Sequence, residues 1–188
     1  MNRLTALMSV VVVLGGAMQM SGQRVSSPQQ QTRIVVPSSR VMPLGGGSTT
    51  LSAISATPST ISFTSTDPDL LTVSGNSAAT INWTTSNGSP SQTWTLTVQA
   101  TSSSFASCST VPASAVTATC TGVTEGKSGS CSAAFALSTV AQQVASGKED
   151  NATNAPYTVT LNFTLADSWS YIANPSCSLT LTYIVTAP

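Results

Sequence analysis

Apolar and polar residues alternate with a period of two along much of the second half of the chain. Tyr157, Val159, Leu161, Phe163 and Leu165 are separated by Thr158, Thr160, Asn162 and Thr164. Trp94, Leu96 and Val98 interleave with Thr95, Thr97 and Gln99, and Leu179, Leu181, Tyr183 and Val185 with Thr180 and Thr182, the alternation lapsing at Ile184. Successive side chains of a strand point to opposite faces, so each segment predicts a strand with one buried face. Further strands are expected at Thr60 to Ser65, Ala79 to Thr85, Ala115 to Cys120 and Cys131 to Leu137. The only hint of a helical stripe, Ser138 to Ala145, is short and rich in β-branched and small residues. Seven or more strands separated by Gly, Pro, Ser and Asn clusters predict an all-β, antiparallel β-sandwich of immunoglobulin-like or similar Greek-key type. Its expected core is Phe63, Ile81, Trp83, Trp94, Leu96, Val98, Phe135, Leu161, Phe163, Leu181 and Tyr183.

The pattern is different before residue 51. Residues 1–22 carry a basic start at Arg3, an apolar middle centred on Val10 to Leu14 and small residues at Gly15, Ala17 and Gly22. That is the layout of a secretory signal peptide, and its apolar run is shorter than the ~20 residues of a membrane span. The expected mature chain is therefore secreted or held at the cell surface without a membrane segment. No cysteine lies near this segment, so the lipid-anchoring cysteine of a bacterial lipoprotein is missing. Residues 23–50, rich in Gln, Ser, Pro and Gly, read as a flexible linker. Within them Arg33 to Val36 (RIVV) has the composition of a strand that adds to a sheet edge, on this molecule or on a neighbour, and so offers a route to self-association. Residues 51–188 are long enough for one domain with its own core.

Charge narrows the partners. Only 12 of 188 residues are charged, and all four arginines (Arg3, Arg24, Arg33, Arg40) precede residue 41. Residues 51–188 keep Lys127 and Lys148 against Asp67, Asp69, Glu125, Glu149, Asp150 and Asp167, so 2 − 6 gives a net charge of −4. A phosphate backbone needs clustered Lys and Arg to displace its counterions, which excludes nucleic acid as a partner of the domain.

Four cysteines in an oxidising compartment predict two disulfides. Cys120 and Cys131 stand symmetrically about Glu125 and Gly126, which suggests a hairpin closed by Cys120–Cys131 and leaves Cys108 for Cys177. Closing so short a loop contributes roughly 3 kcal/mol in the chain-entropy account.

Familiar catalytic arrangements are absent. Without histidine there is neither a Ser-His-Asp nor a Cys-His nucleophile, nor a His-based metal site. GVTEGKSGS has its first glycine one residue too close to Gly126-Lys127-Ser128 for a phosphate-binding loop. No Ser-x-x-Lys pair occurs at either lysine of the domain. Asp67-Pro68-Asp69 and Glu149-Asp150-Asn151 suit turns better than Ca²⁺ sites, since Pro fixes a bend and Asp caps it. Neither metal nor cofactor is expected, and no enzymatic activity. Asn82, Asn87, Asn151 and Asn162 each open an Asn-x-Ser/Thr pattern.

Two features remain that could bind. The alternating threonines are either the solvated side of ordinary strands or a flat hydroxyl array for an ordered surface such as ice or glycan. Arrays of that kind come from fixed repeats, and these segments are unequally spaced. Trp169 and Tyr171, two apart in the connection ADSWSYIANPSC, either plug one end of the sandwich or stack on a sugar or peptide.

Trp94-Thr95-Leu96 in mid-domain together with the terminal strand SLTLTYIVTAP resembles the WxL domain of bacterial cell surfaces, which carries a second Trp-x-Leu in its last strand. Here that second motif is Tyr183-Ile184-Val185, a departure at two positions. The resemblance implies non-covalent attachment to the cell wall, with Trp94 and Leu96 as the matching residues. The stretch YTVTLNFTLADSWSYIANPSCSLTLTY is also similar to uncharacterised secreted bacterial proteins, which implies no activity. The expectation is a secreted, disulfide-stapled structural or adhesion-type module, with a carbohydrate- or cell-wall-binding module as the rival. Its expected partners are a glycan, the cell wall or another surface protein.

Overall fold

A computed structural model describes residues 31–35, 40–41, 50–52, 54–64, 72–124, 128–152, 154–166, 168, 171 and 177–187. Its strands are β1 (Gln31–Val35), β2 (Arg40–Val41), β3 (Thr50–Leu51), β4 (Ser55–Thr57), β5 (Thr60–Thr64), β6 (Thr72–Ser74), β7 (Ala79–Ser86) and β8 (Thr93–Ala100). The second half supplies β9 (Ser104–Phe105), β10 (Cys108–Pro112), β11 (Val116–Thr124), β12 (Ser128–Cys131), β13 (Phe135–Ala136), β14 (Gln142–Lys148), β15 (Ala155–Ala166) and β16 (Ser178–Thr186).

Two sheets pack together as a sandwich, the fold that the alternation predicts. The first runs β12-β14-β8-β16-β1-β5, with β2 also against β16. The second runs β13-β11-β15-β7-β3, with β4 on β7 and β6 on β15, while β9 and β10 form a separate ribbon. Pairing is antiparallel except for β1 and β2, which run parallel to β16. Every second residue of β7, β8, β15 and β16 is buried. The core therefore comes from both inner faces, each large apolar side chain contributing about 2 kcal/mol through burial. Of the expected core residues all are buried but Phe135, which is half-buried against the cluster.

Four local expectations need correction. Ser138 to Ala145 is not helical, because β14 begins at Gln142 and its ladder with β8 slips between Gln143 and Ala145. That irregularity turns both Val144 and Ala145 inward and hides the period of two. Cys131 to Leu137 is not one strand, since β12 belongs to the first sheet and β13 to the second. The expected hairpin around Glu125 does not form either: β11 pairs with β13 and β15, and β12 with β14. The pairing Cys120–Cys131 is nonetheless present, and it joins the two sheets. Cys108–Cys177 ties the start of β10 to the residue before β16. Finally, the stretch expected to be linker supplies β1, which enters the first sheet between β16 and β5.

Candidate functional site

At one end of the sandwich, three aromatic rings bridge the sheets. Trp83 of β7 stacks on Tyr157 of β15, with centroids 5.3 Å apart and planes 5° from parallel. Trp94 of β8 meets both edge-on, at 5.3 and 5.8 Å. Such pairs add about 1 kcal/mol beyond their burial. Trp94 is wholly buried, and its Nε1, like that of Trp83, finds no hydrogen-bond partner among the described residues.

Over Trp94 pass Gly129 of β12 and Gly147 of β14. A Cβ at Gly129 would meet Val123 and come within 3.1 Å of Trp94 Cζ2; one at Gly147 would meet Ser128 O and lie 2.8 Å from the same indole carbon. Only glycine lets these two strands close over the ring. The result is a shallow depression of about 230 Å³ lined by Thr93, Ser128, Gly129, Ser130, Ser146, Gly147 and Lys148. Lys148 Nζ donates to Ser91 O and Thr93 Oγ1, both at 3.3 Å, which holds the ammonium along its rim. Hydroxyls, backbone and one cation make a surface able to hydrogen-bond a polar ligand, and none of the described residues that line it is aromatic.

Beside the aromatic cluster lies a polar knot. Tyr157 Oη accepts from the backbone N–H of Asp150 at 2.7 Å and from Thr85 Oγ1 at 3.3 Å. Glu149 is fully buried; its Oε2 accepts from Ser89 N–H at 3.1 Å and its own N–H donates to Gln92 O. Gly88 fits against it, since a Cβ there would meet Asp150 O and lie 2.9 Å from Glu149 Oε2. The carboxylate thus fastens the β7–β8 connection to the β14–β15 connection. Among the described residues no three His, Cys, Asp or Glu side chains gather as metal ligands would.

The alternating threonines lie on the outer faces of the sheets. In register, Thr95 faces Thr186 and Ser146, while Thr160 faces Thr80 and Thr158 faces Asn82. Several hydroxyls are spent within the sheets: Thr158 Oγ1 donates to Asn82 Oδ1 at 2.9 Å, Thr97 to Ile184 O and Thr186 to Thr95 O. The rows are half-buried and mixed with Gln, Asn, Ser and Ile.

Of the residues singled out in the sequence, Trp94 and Leu96 are wholly enclosed in the core. Tyr171 is half-buried and packed against it, with its N–H donating to Ser168 O at 2.9 Å. Trp169, Asp67 and Asp69 lie outside the described residues. Among the described residues, Ser168 and Tyr171 do not line the depression. Sequence reasoning missed Gly129, Gly147 and the buried Glu149, whose roles arise from pairing between distant segments and leave no local signal. Compared with protein-family models, curated proteins and solved structures, the chain gives no match.

Proposed function

We propose that this protein is a secreted, non-enzymatic structural or adhesion-type β-sandwich of the cell exterior. One observation carries the reading: the aromatic side chains Trp83, Trp94, Tyr157 and Tyr183 are buried in the core, while the outer faces present hydroxyls and amides. Binding modules need exposed anchors, often aromatic, whereas this arrangement invests them in rigidity. Two disulfides fit an oxidising exterior, and a surface poor in charge fits a passive one.

The depression over Gly129 and Gly147 favours a second reading, a module that hydrogen-bonds a glycan or cell wall through Ser128, Ser130, Ser146 and Lys148. The two readings separate in one experiment. The mature protein is incubated with insoluble polysaccharides and purified cell walls while light scattering follows its assembly state. A structural module assembles and stays in the supernatant. Retention on polysaccharide, lost in Lys148→Ala, would replace the first reading with the second.

A further inference from the structure

We propose that the arm Gln31–Val41, comprising β1 and β2, is exchanged between molecules, the place beside β16 being filled by the arm of a second copy of this chain. The inference deepens the structural-module reading and takes its biological setting from it.

The slot is defined by register. Arg33, Ile34 and Val35 pair in parallel with Ser178, Leu179 and Thr180 of β16, and Gln31 to Val35 pair antiparallel with Thr64 to Thr60 of β5. Ile34 stands opposite both Leu179 and Ile61, two wholly buried residues. Along β16 the same path continues with Arg40 and Val41 beside Ile184 and Val185. Within its sheet, β5 is joined to the rest only through β1 among the described residues. Remove the arm and two strands about 10 Å apart are left with facing unpaired edges, two ladder spacings wide. An extended strand of any origin with this sequence satisfies the same backbone groups.

Nothing covalent binds the arm to its own slot except the chain that follows. Both disulfides lie between Cys108 and Cys177. The connection from β2 in the first sheet to β3 in the second is residues 42–49, MPLGGGST. Eight residues reach about 28 Å when extended, against about 10 Å between packed sheets. A connection with that reach allows the arm to enter a neighbour's slot with an identical ladder, so concentration decides between the closed monomer and the exchanged form. Charge adds direction: residues 23–50 hold three arginines and no acid, while residues 51–188 carry the net −4. Arms are thereby drawn toward foreign domains as well as their own.

The test uses the register pair Arg33 and Ser178. Mature chains carrying Arg33→Cys alone and Ser178→Cys alone, each with its native disulfides formed, are mixed, concentrated, oxidised and run on a non-reducing gel. Neighbouring strands place paired Cα atoms within disulfide reach. Exchange predicts a covalent heterodimer severalfold more abundant than either homodimer, rising with the concentration at mixing. A mixture without heterodimer, while the double variant closes within one molecule, overturns the proposal. A double variant that closes in neither way overturns it too, by removing β1 from beside β16. Polysaccharide retention alongside heterodimer formation would unseat the structural-module reading and leave exchange standing.

Discussion

The two flanks of the first sheet are held by different means. On one, β12 and β14 close over Trp94 through Gly129 and Gly147, and Cys131 of β12 is bonded to Cys120 in the opposite sheet. On the other, β5 reaches the sheet through β1, a strand from the far N-terminal side laid along β16 near the end of the chain. The first flank is fixed by one disulfide and by close packing over the indole. Backbone ladders between distant segments hold the second, together with Gly75 and Asn76, which reach β5 from beyond β6. β5 is also anchored by Ile61 and Phe63 in the core, so the element of this flank held by ladders between distant segments is β1.

Breaking the packed flank should cost most. Trp94→Ala removes the ring that touches both Trp83 and Tyr157, and is expected to destabilise by about 4 kcal/mol in chemical denaturation. The disulfides come next and sharpen the contrast. Loss of Cys108–Cys177, with 69 residues of separation, should cost about 4 kcal/mol in chain entropy; loss of Cys120–Cys131, with 11, about 3 kcal/mol. Cys177 also precedes the part of β16 that receives β1. Hydrogen exchange in the Cys177→Ser, Cys108→Ser variant should therefore rise first in β1 and β5, and equal rises in both flanks would count against the distinction. Gly147→Ala pushes β14 from β12 and the indole, with an expected loss of about 2 kcal/mol; the same substitution at half-buried Gly122, where the nearest atoms are 4.0 Å away, should cost far less.

The smallest effect at neutral pH is expected at Tyr183, which lies between the flanks on β16. Burial pushes its hydroxyl pKa well above the ordinary 10.0. Above about pH 10 the unfolded chain gives up a proton that the folded chain retains, so stability is full below that pH and falls as pH rises. Tyr183 Oη makes no hydrogen bond among the described residues, so Tyr183→Phe should shift neutral stability by less than about 1 kcal/mol. Denaturation midpoints between pH 9 and 11 should then lose their downward slope; a slope kept in the variant would place its origin elsewhere.

How much of this was legible depends on the range of each interaction. Strands such as β8, β15 and β16 announce themselves because burial on one face writes a period of two into their own residues. Both disulfide pairings could be inferred from spacing, yet the spacing of Cys120 and Cys131 suggested a hairpin, whereas the bond spans two sheets. Arg33 to Val36 has strand composition but is too short to show a period, and the place of β1 depends on β5 and β16, which are distant in the chain. Glu149 sat in a polar run that resembles any surface loop; only the fold encloses it under Gly88 and Ser89. The depression was invisible for the same reason, since Gly129 and Gly147 become neighbours only through the β12–β14 ladder.

The parallel run of β1 beside β16 also sets how the molecule bears load. Tension applied between the N-terminal side and the C-terminal end pulls these two strands lengthwise in opposite directions, so the ladder bonds from Arg33 to Val35 are sheared together rather than peeled one by one. Forced separation is a rate, governed by the barrier to rupture rather than by equilibrium stability. A ladder that can be vacated by thermal exchange can thus still resist a pull along its length.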